Sequence, residues 1–542
     1  MTPLPPLTPA PDPLRCGAGL VAALAALPVL LTYLGLAVYA YPTSDDWGFA
    51  AAGRDAGVAA SLAGYWSGNG GRWLTAFLLY ALGWIPRLPE AYPLLIALTL
   101  AGFVAANALV ARCLGLTTWR GLLVATAVLS SVQLTALPLL DGIGNLGPHL
   151  ATPETLYWVS GAWPYSSAYL LLAGAAWLVL TPVPRWLAWS GCLGLGAALS
   201  GLSELAGLLG LLLGVALGLG GCRRGWILGL AAGVGFGVAA AAPGNLARLA
   251  LLRQDGEAGA GLAQLPAALL AGLRFSLGHL RDWLLDPAIA CLGVALVWWG
   301  ALLPPTPGAW RRRCAVAAAA VVLGTWGLAL PALALVGFLE ARHEGLVSFA
   351  AVAGILVVAV LAGRAWPEVR QQRRWRLAAA GWILAAAAWR WGWPSPLSPL
   401  GAWTGPVLFG GLGGLVLLWV RGRPGLLGGV LALALLAQPA WWQAIADGFG
   451  KAPKLLHLQQ FRDRAVRQLV AGGSTDVILP WLGGNERLPR TLRLYEVQSG
   501  WMADGYAAYF GLRNLAFSDR ILGPVPWRRR PPPPPAAAGG AP

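Results

Sequence analysis

The chain has 542 residues, of which 57% are hydrophobic and only 11% carry a charged side chain. About one quarter of the residues in an ordinary soluble domain are charged, so this composition excludes a soluble enzyme, a fibrous protein and a disordered chain. The net charge is +16, but the sequence has no basic stripe interleaved with aromatic residues. This argues against nucleic-acid binding. Mean hydropathy is +0.63, and recurring apolar runs of about 20 residues predict an all-α polytopic membrane protein.

The apolar runs predict about 13 transmembrane helices. We expect them at 17–41, 91–111, 118–140, 164–181, 186–201, 204–221, 226–243, 284–304, 314–339, 346–363, 377–393, 403–420 and 425–446. A further apolar segment, 73–86, is short, and a crossing there would invert every later loop. We therefore predict an interfacial or re-entrant helix for this segment.

The charges in the loops predict the orientation of the chain. With the N-terminus in the cytoplasm, the loops that alternate to the cytoplasmic side hold sixteen arginines and two acidic residues. The opposite side receives most of the carboxylates. Because basic residues hold loops on the cytoplasmic side, the sequence predicts a multi-pass protein with a cytoplasmic N-terminus and an extracytoplasmic C-terminal region.

The composition predicts three regions. Residues 1–446 form the transmembrane domain, whose outer loop 42–90 carries interfacial helices. We expect residues 447–527 to form a small extracytoplasmic α/β domain and residues 528–542 to form a disordered proline-rich tail. The elements predicted in the small domain are helices at 453–471 and 501–511, and strands at 476–481, 491–497 and NLAFS.

An acidic pair, Asp45 and Asp46, comes directly after the first predicted span. Adjacent carboxylates repel, so the pKa of one of them rises unless a cation lies nearby. One carboxylate can act as general base on an acceptor hydroxyl, and a divalent metal, if the protein uses one, would bind the same oxygens. The alternative is that the pair caps a helix and faces water.

Two further polar positions lie close to the predicted membrane surface. Arg72 and Asn69 belong to a glycine-rich turn, where a guanidinium can clamp a phosphate and Asn69 can bind sugar hydroxyls. Glu204 lies between two apolar runs, where an ionisable group is costly and indicates function. The alternatives are a snorkelling arginine, an asparagine that only makes the turn, and a glutamate exposed in a short hairpin.

The segments AAPGNLARL and LEARHEG follow predicted spans on the outer side. The first places Asn245 and Arg248 where they can reach an anionic headgroup. The second places Glu340, Arg342, His343 and Glu344 at a helix end, where Arg342 and His343 could bind phosphate and the glutamates could orient them. The alternatives are an ordinary turn and a solvated charged turn.

Nucleotide-binding motifs are missing from the sequence, so a lipid-borne substrate fits better than a soluble nucleotide donor. The patches SDDWGFA, NGGRW, YWVSGAWPYSSAY, SELAG, APGNLAR and GYAAYFGLRNL resemble the GT-C superfamily of integral-membrane glycosyltransferases. Within that superfamily, these patches resemble an uncharacterised bacterial multi-pass family allied to the O-antigen glucosyltransferases. The resemblance implies a GT-C-like fold in the bacterial inner membrane.

The resemblance also implies a chemistry. The donor would be a polyprenyl-phosphate sugar, and the acceptor a glycan, lipid or protein of the cell envelope. Asp45 would be the general base, with Asp46 second, and Arg72, Arg248 and Arg342 would bind phosphate. Some members use a divalent metal and others do not, so no cofactor is implied for certain. The sequence leaves two alternatives open, a transporter or flippase of lipid-linked glycans and a non-catalytic envelope scaffold.

Overall fold

The computed structural model describes residues 18–43, 45–136, 153–254, 265–303, 309–335, 341–391, 404–421, 426–480 and 501–518. The described residues are almost entirely helical. The helices of the first half are α1 Ala18–Leu36, α2 Asp45–Asp55, α3 Val58–Gly68, α4 Trp73–Tyr80, α5 Leu88–Cys113, α6 Trp119–Ala136, α7 Val159–Leu180, α8 Arg185–Leu202, α9 Glu204–Leu219, α10 Arg223–Ala240 and α11 Pro243–Gln254. The second half contains α12 Leu265–Leu284, α13 Pro287–Gly300, α14 Ala309–Leu335, α15 Ala341–Ala365, α16 Arg373–Trp391, α17 Thr404–Val420, α18 Leu426–Leu436, α19 Pro439–Ala446, α20 Ala452–Ala471, β1 Asp476–Pro480, α21 Trp501–Phe510 and β2 Asn514–Ser518.

Four helices in the described part of the chain are long and apolar enough to cross a membrane. They are Gly19–Tyr39, Leu88–Cys113, Val159–Leu180 and Gly345–Ala365. Two bent helix pairs bring the number to six if each pair is one span. The protein is therefore an α-helical membrane protein, while the count of thirteen spans remains a prediction.

The two bent pairs change the expected limits of two spans. The predicted span 284–304 corresponds to α13, whose 14 residues rise only about 21 Å. It follows α12 with a bend of 73°. The predicted span 425–446 is also broken, because α18 bends by 49° into the helix that begins at Pro439. In both pairs a proline begins the second helix, because its missing N–H is no loss in a first turn.

The short apolar segment 73–86 forms α4 and a 3-10 turn, Ala81–Trp84. From Trp73 to Trp84 this helix is too short to cross a bilayer core of about 30 Å by itself. The Thr75 hydroxyl donates a hydrogen bond of 2.6 Å to the Leu202 carbonyl at the end of α8. This contact holds α4 against the helical bundle.

Close helix packing and apolar outer faces fit a lipid environment. Gly214 of α9 lies against α10, and a Cβ there would be 2.3 Å from the Gly229 backbone nitrogen, so only glycine allows this approach. Trp186 and Leu230 expose 73% and 69% of their surface. Since lipid chains are as apolar as a protein core, such side chains are stable facing lipid.

The C-terminal region returns to the first loop. Strands β1 and β2 pair in parallel, with Asp476 opposite Asn514 and Pro480 opposite Ser518. Helix α20 ends at the Gly472–Gly473 turn, and α21 packs against α2. The predicted strand 491–497 and the predicted tail 528–542 lie outside the described residues. The contact between α21 and α2 joins the end of the chain to the acidic pair.

Candidate functional site

The two predicted aspartates occupy the first turn of α2 but have different surroundings. Asp45 is half-buried and lines a cavity, whereas Asp46 has no exposed surface. Consecutive residues of a helix point about 100° apart, so one side chain can face the cavity while the next faces the bundle. The structure therefore separates the pair that the sequence presents as equivalent.

Asp46 is held by four hydrogen bonds. Its Oδ1 atom accepts from the Ser160 backbone nitrogen at 3.0 Å and the Ser160 hydroxyl at 2.5 Å. Its Oδ2 atom accepts from the Tyr92 hydroxyl at 2.7 Å and the Thr43 nitrogen at 3.2 Å. Burial raises the pKa of Asp46 to about 6, and these hydrogen bonds oppose the rise. Asp46 thus fixes the first turn of α2 to α5 and α7.

Arg72, Glu204 and Asn245 come together although they lie at the N-terminal ends of three different helices, α4, α9 and α11. The Arg72 Nε atom donates to Glu204 Oε2 at 2.8 Å. The Asn245 side-chain nitrogen lies 3.2 Å from Glu204 Oε1 and 2.8 Å from the Ala239 carbonyl oxygen. Glu204 is the first residue of α9, where the helix dipole favours a carboxylate. Three predicted positions therefore form one polar cluster.

Glycines allow the loops of this cluster to meet backbone to backbone. A Cβ at Gly71 would lie 2.1 Å from the Ala239 carbonyl oxygen. One at Gly244 would lie 2.4 Å from the Gly70 nitrogen. Any side chain at Gly71 or Gly244 would push the two turns apart and move the neighbouring Arg72 away from Glu204.

A cavity of about 370 Å³ lies between α2, α3, α4, α7 and α11. Its lining combines acidic, basic, amide, hydroxyl and aromatic groups. The residues that line it are Asp45, Gly48, Phe49, Ala52, Tyr65, Asn69, Arg72, Thr75, Leu79, Tyr80, Ser160, Pro164, Tyr165 and Arg248. Such a mixture of a few converging polar groups and aromatic walls is typical of a binding site for a small molecule.

The two cavity arginines differ in charge compensation. Arg72 is paired with Glu204, and their side chains are 21% and 24% exposed. Arg248 is exposed on α11 and makes no ion pair within the described part of the chain. An anionic ligand in the cavity would therefore find its uncompensated guanidinium at Arg248.

Three predicted residues are not described well enough to relate to the cavity. Glu340 is outside the described residues, and the side chains of Arg342 and His343 are too, although their backbone forms the first turn of α15. The remaining predicted residues lie in the cavity or beside it: Asp45, Asn69, Arg72 and Arg248 line it, Glu204 contacts Arg72, Asn245 contacts Glu204, and Asp46 anchors α2.

A metal shared by the two aspartates does not fit this geometry. Both oxygens of Asp46 already accept hydrogen bonds from N–H and O–H donors. Within the described ranges, no three histidine, cysteine, aspartate or glutamate side chains cluster so as to hold a metal ion. We derive no step through a metal.

Sequence reasoning missed several residues of the cavity. Ser160 and Tyr165 belong to the patch YWVSGAWPYSSAY, which we used only for the resemblance. Tyr65 and Tyr80 form an aromatic wall with ring centroids 6.4 Å apart. Tyr92, which binds Asp46, sits inside a predicted span, where nothing in the local pattern separates it from a packing residue.

Comparisons with known proteins give no relative. No family model matches the chain. Neither a curated protein nor a solved structure matches it.

Proposed function

We propose that this protein is a membrane glycosyltransferase that moves a sugar from a polyprenyl-phosphate donor to a cell-envelope acceptor. The acceptor is a glycan, a lipid or a protein, and the reaction takes place on the extracytoplasmic side. The proposal includes the predicted arrangement: about thirteen spans in the bacterial inner membrane, a cytoplasmic N-terminus and an extracytoplasmic α/β domain. It draws on the resemblance to GT-C enzymes and on the contents of the cavity.

One observation carries the proposal, namely that Asp45 shares a cavity with Arg248 and with an arginine already neutralised by Glu204. A transferase that uses a lipid phosphate needs a base for the acceptor and a cation for the donor in one site. The cavity supplies one group of each kind. Its volume of about 370 Å³ is within the usual range for small-molecule sites.

In the proposed reaction Asp45 is the general base. The acceptor hydroxyl gives its proton to the Asp45 carboxylate, and the acceptor oxygen bonds to the anomeric carbon of the donor sugar. The bond from that carbon to the phosphate oxygen breaks, and polyprenyl phosphate leaves. Arg248 binds the phosphate and stabilises the charge that develops on the leaving oxygen.

Other residues orient the reactants. Phe49, Tyr65 and Tyr80 form an aromatic wall, with the Phe49 and Tyr80 ring centroids 5.2 Å apart, against which a sugar ring can pack. Asn69 offers its amide to sugar hydroxyls. Arg72 is held in place by Glu204 and offers its remaining N–H groups to the donor. Asp46 acts through its neighbour, because it fixes the turn that carries Asp45.

Transfer of labelled sugar from polyprenyl phosphate in proteoliposomes tests the base. We expect Asp45→Asn to lower turnover by about a hundredfold or more, as for loss of a general base. Glu90→Gln is a matched control, since Glu90 is a carboxylate in the first turn of α5 whose side chain is 59% exposed, and it should transfer at the wild-type rate. Full activity of Asp45→Asn would rule out the proposed base.

A transporter or flippase of lipid-linked glycans is the second candidate. It is favoured by the two bent helix pairs, because transporters build binding sites from broken helices. The breaks of the two pairs are connected by a hydrogen bond. The Gln438 amide at one break donates to the buried carboxylate of Asp286 at the other, at 2.9 Å. Movement of labelled lipid-linked glycan across vesicles, with no sugar transferred to an acceptor, would support this function and contradict the transferase.

A further inference from the structure

The helix that carries Asp45 has two occupied faces. Asp45, Phe49 and Ala52 line the cavity, and they are spaced at helical intervals of four and three residues. The other face, which includes Trp47 and Arg54, contacts α21. Because α2 has only 11 residues, it is too short to be stable alone. Its orientation is therefore set by what packs on both faces.

Trp47 fills an aromatic box contributed mainly by α21. It is fully buried, and its ring centroid lies 5.2 Å from that of Tyr506, 4.6 Å from Tyr509 and 5.5 Å from Phe510. The ring of Tyr41, which lies just before α2, is 6.2 Å away. Aromatic contacts at these distances add stability beyond the buried area. The box fixes the rotation of α2.

Two glycines bring the helices into backbone contact. A Cβ at Gly505 would lie 2.9 Å from the Gly48 nitrogen and 3.0 Å from its Cα. Gly48 also lines the cavity, so the same residue contacts both α21 and the cavity. Any side chain at Gly505 would therefore push α2 towards the cavity or separate the helices.

Polar contacts hold both ends of this interface. Arg54 donates to the carbonyl oxygens of Tyr509 at 2.9 Å and Ala508 at 3.1 Å. The hydroxyls of Tyr41 and Tyr506 both donate to the buried carboxylate of Asp463 on α20, that of Tyr506 at 2.6 Å. Burial and this carboxylate raise the pKa of Tyr506 well above its usual value.

We propose that α21 is a positioning element for Asp45, and that Gly505 is its positioning residue. The patches SDDWGFA and GYAAYFGLRNL, at opposite ends of the chain, then act as one unit. Donor binding depends on Arg72 and Arg248, which lie on other elements. A change at Gly505 should therefore affect the chemical step and leave donor affinity nearly unchanged.

The experiment has one arm that needs transfer activity and one that does not, because Asp45 is the base only under the proposed function. In the first arm, Gly505→Ala and Gly505→Val are compared with Ala508→Val, which enlarges an exposed side chain on the same helix. We expect Gly505→Val to lower kcat by about a hundredfold through misplacement of the base. Gly505→Ala should lower kcat less, the KM for donor should stay constant, and Ala508→Val should match wild type.

The second arm measures alkylation of Asp45→Cys by a maleimide in a background in which the six native cysteines are replaced. We expect Gly505→Ala and Gly505→Val to change the alkylation rate several-fold, because residue 45 moves relative to the cavity, and Ala508→Val to leave it unchanged. Equal rates in all four proteins would overturn the positioning role. If wild type transfers no sugar but the alkylation rates differ as expected, the transferase function fails and the positioning of residue 45 by α21 stands.

Discussion

Arg72 and Glu204 lie 132 residues apart in the sequence, yet they form a hydrogen-bonded ion pair of 2.8 Å. The pair joins the first residue of α9 to the turn before α4. Asn245 binds the second oxygen of Glu204, so the two ions are held from three parts of the chain. Arg72 also lines the cavity that contains Asp45, so this cluster lies beside the cavity.

Breaking this ion pair should cost stability. Since both side chains are partly buried, we expect Arg72→Gln and Glu204→Gln each to lower the free energy of unfolding by about 1–2 kcal/mol. The double variant should lose less than the sum, as measured by unfolding in detergent. The exposed pair Arg54 and Asp55 is the control, with an expected coupling below about 0.5 kcal/mol. Additive losses for Arg72 and Glu204 would show that they do not interact.

Asp46 should make stability depend on pH. Burial raises its pKa from 3.8 to about 6, so between these values the folded protein binds a proton that the unfolded chain has lost. The stabilisation is complete below pH 3.8 and is lost as the pH rises through about 6, at a cost of up to about 3 kcal/mol. Melting temperatures from pH 4 to 8 should fall in wild type and fall less steeply in Asp46→Asn. Parallel curves for the two proteins would contradict this assignment.

The glycine contact beside Arg72 should tolerate no side chain. A Cβ at Gly71 would lie 2.1 Å from the Ala239 carbonyl oxygen, so we expect Gly71→Ala to destabilise the protein by about 1–3 kcal/mol. Gly64 on α3 has open space around it. Gly64→Ala should therefore be neutral or stabilising by up to about 1 kcal/mol. Thermal unfolding of both variants measures the difference, and equal stabilities would refute the close contact.

Arg248 should determine donor affinity. We expect Arg248→Gln to raise the KM for polyprenyl-phosphate sugar about tenfold, as for loss of one charge-assisted hydrogen bond. Arg248→Lys should recover part of the loss because it keeps the charge but not the planar fork. The KM for the acceptor should not change. Initial rates at varied donor concentration test this, and an unchanged donor KM would remove Arg248 from the phosphate site.

Local patterns in the sequence were enough to predict several elements. Apolar runs predict helices because a chain that enters lipid must satisfy its backbone internally. The long helices at Leu88–Cys113 and Val159–Leu180 are of this kind. The glycine-rich turn at Arg72 and the turn at Asn245 also stand out, because few polar residues interrupt the apolar chain.

Which apolar surface faces protein and which faces lipid could not be predicted. Lipid chains are as apolar as a packed core, so hydropathy does not distinguish exposed Leu230 from buried Leu228. The break at Gln438, inside the predicted span 425–446, was also missed. A proline at the start of a second helix looks the same whether the chain continues straight or bends.

Composition and charge determined by themselves that this is a helical membrane protein with polar residues gathered at a few turns between apolar runs, because such patterns are local and set by the solvent. Only the tertiary structure decided that Asp45 faces the cavity while Asp46 is buried against Tyr92 and Ser160. It also decided that Trp47 meets α21. These outcomes depend on which distant helices pack together, and that packing is fixed by the fit of side chains over the whole bundle.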